Sequence, residues 1–233
     1  RGKKSTRILK YVGTVLLVIF IIIIGIFIYF AKDLPSPGKI GNRAVVQSSQ
    51  IYDRTGEMLL YEIHGEEKRT VISLEEMGDY VKWSTLAAED KNFYHHLGFS
   101  VKGLTRAVFR NLGGDSDLLQ GGSTITQQLV KNSLLSPEQT YSRKMKELIL
   151  SLEIEMKYSK DEILEMYLNE IPYGSSAYGI EAAANTFFEK HAKDLTIGEA
   201  ALLAALPQAP TYYSPFGSHQ DDLKFRQELI IDL

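Results

Sequence analysis

The chain has 233 residues, 44% hydrophobic and 24% charged, and no cysteine. Its 26 Lys and Arg and 29 Asp and Glu give a formal charge of −3, but the first ten residues hold five cations and no acid, leaving −8 on the remainder. No disulfide can staple this fold, and an acidic body is a poor nucleic-acid binder, because that binding leans on Lys and Arg at the phosphates.

The basic tail 1–10 contains Arg1, Lys3, Lys4, Arg7 and Lys10. Residues 11–30, YVGTVLLVIFIIIIGIFIYF, follow without a charge. At about 1.5 Å per residue such a helix spans roughly 30 Å, the thickness of a bilayer core. With the cations before it and only one Lys and one Asp just after it, the N-terminus is expected in the cytoplasm and the rest outside. A cleaved leader would have a shorter apolar run and a small-x-small cleavage site, which FAKDLPS does not offer. The expectation is a retained single-pass anchor. The chain opens at Arg1 and stops within the helix-like run DDLKFRQELIIDL, as expected for part of a longer protein truncated at its C-terminal end.

Residues 31–50, with LPSPGK, read as linker, and 51–233 as one outer domain, large enough to build its own core. Within it, 51–63 (IYDRTGEMLLYEI) reads as a small β hairpin, two strands around an Asp-Arg-Thr-Gly turn. Beyond Arg69 the pattern is helical. Capping-box spacings mark starts at Ser73 with Glu76, Thr124 with Gln127, Ser159 with Glu162 and Thr196 with Glu199. Ser136, Pro137 and Gln139 mark another, with proline at the first helical position. Stops are expected near Pro172 and Pro207. In the helix from Ser136, Met145, Ile149, Leu152 and Met156 form an apolar stripe expected to face the core. Thr140, Arg143, Lys144, Glu147 and Ser151 lie opposite, with Arg143 and Lys144 spaced to pair with Glu147. Taken alone, that cluster reads as an ordinary solvated face.

Two stretches carry more chemistry. In QGGSTITQQLVKN, from Gln120, two glycines lead through Ser123 and Thr124 into a polar helix start, with Lys131 one to two turns in. Such a start suits an anion, yet it lacks the G-x-x-x-x-G-K-[ST] spacing of a nucleotide loop. A tight turn needing glycine reads the GGST stretch equally well. In AAEDKNFYHHLGF, Glu89 and Asp90 fall at a helix C-terminus, where carboxylates are unfavourable, which hints at function. His95 and His96 are adjacent and lack the i,i+4 spacing of a helical metal pair, so a structural histidine is the reading there.

Five stretches then resemble one family in order: EDKNFYHHLG (89–98), QGGSTITQQLVKN, RKMKE (143–147), ILEMYLNEIPYG (163–174) and GIEAAANTFFEK (179–190). They are similar to the motifs of bacterial peptidoglycan glycosyltransferases, glycosyltransferase family 51. The resemblance is to the glycosyltransferase half of a class A penicillin-binding protein or to a monofunctional relative. It implies a mainly α, lysozyme-like helical domain with a small β element beside the membrane. It also implies polymerisation of lipid II into β-1,4 glycan with inversion and release of undecaprenyl diphosphate, in cell-wall biogenesis and the maintenance of cell shape.

By the same resemblance Glu89 is the general base and Glu147 a second carboxylate near the diphosphate, acting through a divalent cation (Mg or Mn) or by orienting Arg143 and Lys144. Asp90, Phe93, Gln120, Ser123, Thr124, Gln127, Lys131, Asn132, Arg143, Lys144 and Asn169 are the expected substrate-binding positions. No organic cofactor and no nucleic acid are implied. The implied partners are lipid II, the growing glycan strand, the bacterial cytoplasmic or inner membrane, and other cell-wall synthesis and division proteins. Two positions depart from the pattern: Glu189 stands where relatives carry glycine, and Gln139 where many carry arginine. A lysozyme-like hydrolase and a non-catalytic lipid II-binding scaffold are the alternatives. Ser36-Pro-Gly-Lys39 fits S-x-x-K, but it lies in the linker with no K-T-G after it, a chance match. A transpeptidase domain would have to lie beyond Leu233.

Overall fold

The computed structural model describes residues 68–100, 122–135 and 140–233 continuously. It also describes strand residues 49–52 and 59–63 with Arg54 and Thr55, and scattered positions between 11 and 34. The basic tail, the expected anchor at 11–30 and the linker lie wholly or mostly outside the described residues, as do Gln120 and the start expected at Ser136 to Gln139. Among the described residues no helix is long and apolar enough to cross a membrane.

The described part is mostly helical, with two small sheets. Strands β1 (Ser49–Tyr52) and β2 (Leu59–Ile63) pair antiparallel, from Ser49 opposite Ile63 to Tyr52 opposite Leu59, with a bulge at Ile51/Tyr52. Strands β3 (Lys68–Arg69), β4 (Pro172–Gly174) and β5 (Ala177–Tyr178) form the second sheet in the order β3-β5-β4, β3 running parallel to β5. The helices are α1 (Asp79–Glu89), α2 (Ile125–Leu134), α3 (Tyr141–Lys157), α4 (Lys160–Glu170), α5 (Ile180–Phe188), α6 (Ile197–Ala205) and α7 (Gln220–Asp232). Helix α2 packs between α3 and α4, while α6 packs on both α1 and α7. Ile125, Leu129 and Val130 of α2 meet Ile163, Leu164, Tyr167 and Leu168 of α4 in the core. The alanine-rich α6 adds Ala200, Ala201, Ala204 and Ala205, small residues that let its neighbours approach.

Reciprocal capping boxes close the starts of α2, α4 and α6 at Thr124, Ser159 and Thr196. Helix α4 stops before Pro172 and α6 before Pro207. Three expectations change. The Ser73–Glu76 box opens a single 3-10 turn, Leu74–Met77, and α1 begins only after Gly78. Helix α3 starts at Tyr141, because Thr140 is extended (φ −123°, ψ 156°) and its hydroxyl accepts from Arg143 N at 3.1 Å.

The third change concerns the face of α3. Met156 is 80% exposed, whereas Glu147, Leu150, Ser151 and Ile154 are buried. Of the expected stripe, Ile149 is buried and Met145 and Leu152 are half-buried, while Glu147 and Ser151 of the ionic side turn inward beside it and Lys144 stays exposed. That is tolerable because these two side chains, Glu147 and Ser151, are paired: Ser151 Oγ donates to the Glu147 carbonyl at 2.6 Å, and the Glu147 carboxylate meets two cations.

Backbone specials sit at the joints. A Cβ at Gly179 (φ +81°) would lie 2.7 Å from the Asn169 carbonyl oxygen, so only glycine lets α5 start there against the end of α4. Glu189, the departure from the family glycine, follows α5 in the left-handed region (φ 55°, ψ 37°) and donates its N–H to Asn185 O at 3.0 Å. The turn is kept and a side chain is carried through it at a cost. Glu189→Gly should therefore stabilise the domain by about 1 kcal/mol, raising its melting temperature by roughly 2–4 °C in a thermal unfolding scan.

Candidate active site

Helix α1 ends on Glu89, whose side chain is 10% exposed. Its Oε2 accepts from Gln128 Nε2 of α2 at 2.6 Å. Its Oε1 is buried with no hydrogen-bond partner, and Arg226 Nη2 of α7 stands 3.7 Å away. Burial pushes the Glu89 carboxyl above its ordinary range, neighbouring Asp90 adds to this, and Gln128 and Arg226 pull part of the way back. Tyr167 and Tyr173 are buried nearby. Their phenols are pushed up first by burial and then by the charge of Glu89. Tyr167 Oη donates to Gln128 Oε1 at 3.3 Å.

Asp90 points the other way. Its Oδ2 accepts from Ile125 N at 3.2 Å and meets His96 Nε2 at 2.8 Å. An acid just past the end of α1 is thus also an acid at the start of α2, where the helix dipole favours it. Phe93 is fully buried under Lys160 Nζ, 4.4 Å from its ring centroid. Thr124 and Gln127 cap each other, and the Thr124 hydroxyl also donates to Gly98 O at 2.7 Å. Gly98 (φ +79°) presses against α3, and a Cβ there would lie 2.9 Å from Ser151 O. The segment 89–98 is therefore clamped by α2 and α3 together.

The second station sits on α3. Glu147 is 2% exposed, with Arg143 on Oε1 and Lys144 Nζ at 2.7 Å from Oε2. Lys144 Nζ also donates to Ser123 Oγ at 2.9 Å, which ties α3 to the loop before α2. Arg143 Nε is buried without a partner, and Lys144 is 46% exposed. Lys131 and Asn132 are exposed in the last turns of α2. With both Glu147 oxygens committed to cations, this carboxylate fits the orienting of Arg143 and Lys144 better than the ligation of a metal ion. Among the described residues no cluster of three metal-ligating side chains occurs.

The sequence-expected residues thus separate into a Glu89 station and a Glu147 station, with α2 touching both. Gln120 lies outside the described residues. Asn169 stands apart: its amide bonds Ile72 N at 3.1 Å and Ile72 O at 2.9 Å, pegging the chain after β3 to α4. Phe93, Thr124 and Gln127 are likewise engaged inside the protein. Sequence reasoning passed over Gln128, Tyr167 and Arg226. Two signals point to them. A glutamine at the third position of a capping box is spent on the cap, which leaves the next one free to reach out. Arg226 falls in the apolar stripe Leu223–Ile230 of α7, where an arginine needs a buried acceptor.

A family model described as Transglycosylase matches residues 56–233. Penicillin-binding protein 1A of Aquifex aeolicus (strain VF5) is 40% identical over 225 residues, 95% of this chain and 30% of that protein. Penicillin-binding protein 1F of Bacillus subtilis (strain 168) is 44% identical over 190 residues, 80% and 26% of the two chains. Penicillin-binding protein 1A/1B of the same strain is 41% identical over 240 residues, 100% and 26%. The chain spans less than a third of the length of these relatives.

The clamp at Gly98 gives a direct check on the site's architecture. Gly98→Ala adds a Cβ against backbone at a positive φ, and should lower the unfolding free energy by about 2 kcal/mol in urea denaturation.

Proposed function

The chain belongs to the transglycosylase family, and on that premise we propose that it is a membrane-anchored peptidoglycan glycosyltransferase. It polymerises lipid II into β-1,4-linked glycan with inversion at the donor anomeric carbon. The observation that supports this best is Glu89, a carboxylate withdrawn from water with one oxygen held by Gln128 and the other without a hydrogen bond. A carboxyl pushed above its ordinary range by burial has the character of a general base.

In the proposed reaction the 4-hydroxyl oxygen of the acceptor sugar attacks the donor C1. Glu89 takes the hydroxyl proton as the new C–O bond forms. The C1–O bond to the diphosphate breaks on the opposite face, so an α-linked donor becomes a β-linked product, and undecaprenyl diphosphate departs with the bonding pair. Arg143 and Lys144, held by Glu147, and exposed Lys131 supply positive charge for the leaving diphosphate. Gly122 and Ser123, half-buried before α2, are suited to close backbone approach by the same group. A mostly helical domain behind the apolar run 11–30 agrees with a substrate whose lipid tail stays in the bilayer. The apolar run 11–30 and its flanking cations support an extracytoplasmic domain, to be checked by its digestion when protease is added to intact spheroplasts.

The basic test is incubation with lipid II followed by gel separation of the products. A ladder of long glycan is expected. Short soluble muropeptides would indicate a hydrolase, and binding without polymer a scaffold. Within that assay the two carboxylates separate. Glu89→Gln should bind lipid II normally yet lose about 10²–10⁴-fold in single-turnover rate. Glu147→Gln releases the grip on Arg143 and Lys144, so its defect should show partly in lipid II affinity.

A further inference from the structure

One buried polar group outside the two carboxylate stations reaches Glu89 through a single intermediary. Tyr167, in the middle of α4, is 1% exposed, and its hydroxyl donates to Gln128 Oε1 at 3.3 Å. Gln128 Nε2 in turn donates to Glu89 Oε2 at 2.6 Å. A carboxamide has two ends of like size and opposite hydrogen-bonding character. Turned one way, it gives a carboxylate a donor; turned the other, it sets oxygen against oxygen. A buried phenol needs an acceptor for its O–H, and the Tyr167 ring is locked by the core around it. With a donor on one side and a carboxylate on the other, Gln128 has one orientation that satisfies both.

We propose that Tyr167 is a positioning residue for glycosyl transfer, its hydroxyl turning the Gln128 carboxamide so that the amide nitrogen, and not the oxygen, meets Glu89. The proposal rests on the reading of Glu89 as the base. Its counterpart in the sequence is the tyrosine of ILEMYLNEIPYG, whose spacing from Ile163 and Leu164 alone marks it as a core residue.

The surroundings of Glu89 make this hydrogen bond matter. The charged and titratable groups near it are Asp90 in the chain after α1, Arg226 from α7, Tyr167 from α4 and Tyr173 from β4. Asp90 disfavours the charge, and Arg226 favours it from 3.7 Å. The two phenols are both pushed up and stay protonated across the working range. Gln128 is the hydrogen-bond donor to Glu89 among the described residues. Losing its donation leaves burial less opposed, and the carboxyl moves further up.

Tyr167→Phe removes one oxygen and keeps the packing of the ring. Measured on lipid II, the variant should lose about tenfold in kcat near neutral pH, the order of one hydrogen bond to a charged group, with KM unchanged. The acid limb of kcat/KM should move to higher pH. Gln128→Leu should move it the same way, and the double variant should move it no further, since Tyr167 acts through Gln128. A readout without turnover is the 13C carboxyl resonance of Glu89, identified by its loss in Glu89→Gln. It should titrate at higher pH in Tyr167→Phe than in the wild type. An unchanged limb and resonance, or a further shift when Tyr167→Phe is added to Gln128→Leu, would overturn the proposal. A wild-type chain that makes no glycan overturns the reaction, whereas the carboxyl titration decides the Tyr167–Gln128–Glu89 relation by itself.

Discussion

A carboxylate held out of water at the end of a helix is the constraint around which this domain is arranged. Glu89 combines burial with an adjacent acid, and both oppose its charge. Such a group persists only if the fold offsets that cost, and three separate elements take part: one donor, one nearby cation and one group that acts through the donor. Helix α2 brings Gln128, α7 brings Arg226, and α4 brings the tyrosine behind Gln128. None of these contacts is local in sequence, so the site exists only when the helices have packed. In water the same carboxyl would be solvated and return to its ordinary range.

Helix α2 links Glu89 to the cationic side of the site. Its first backbone N–H is taken by Asp90, its capping Thr124 is tied to Gly98, and the preceding Ser123 is tied to Lys144. One short helix therefore fixes the segment carrying Glu89 against the helix carrying Glu147. The two acids have opposite circumstances. Glu147 has a cation on each oxygen, whereas Glu89 has one neutral donor and a distant guanidinium. That contrast follows from environment, since the residue type is the same.

Local signals were legible in the sequence. Capping boxes at Thr124, Ser159 and Thr196 mark true α-helix starts, because the chemistry that closes them lies within four residues. The departure at Glu189 falls on a left-handed residue, as the family glycine would lead one to expect. Tertiary choices were not legible. The apolar stripe of α3 holds at buried Ile149 and fails at exposed Met156, and the buried side also takes in Glu147 and Ser151, because their partners lie at hand and burial of paired polar groups is tolerated. The pattern singled out Gln127 although Gln128 reaches Glu89, since only packing reveals which glutamine is spent on a cap. Arg226 could be suspected only as a cation within an apolar stripe.

The central claim is that Glu89 is buried with its carboxyl raised, and its pH linkage tests this most directly. For a carboxyl raised on folding, stability is fully present below the unfolded value, here the ordinary 4.5, and is lost as pH rises through the folded value. The measurement is the urea unfolding free energy of wild type and Glu89→Gln, followed side by side from acid to neutral pH. The account predicts that the wild type loses ground steadily to the variant as pH rises above 4.5. A difference that stays flat, or a wild type that gains on the variant, would contradict it.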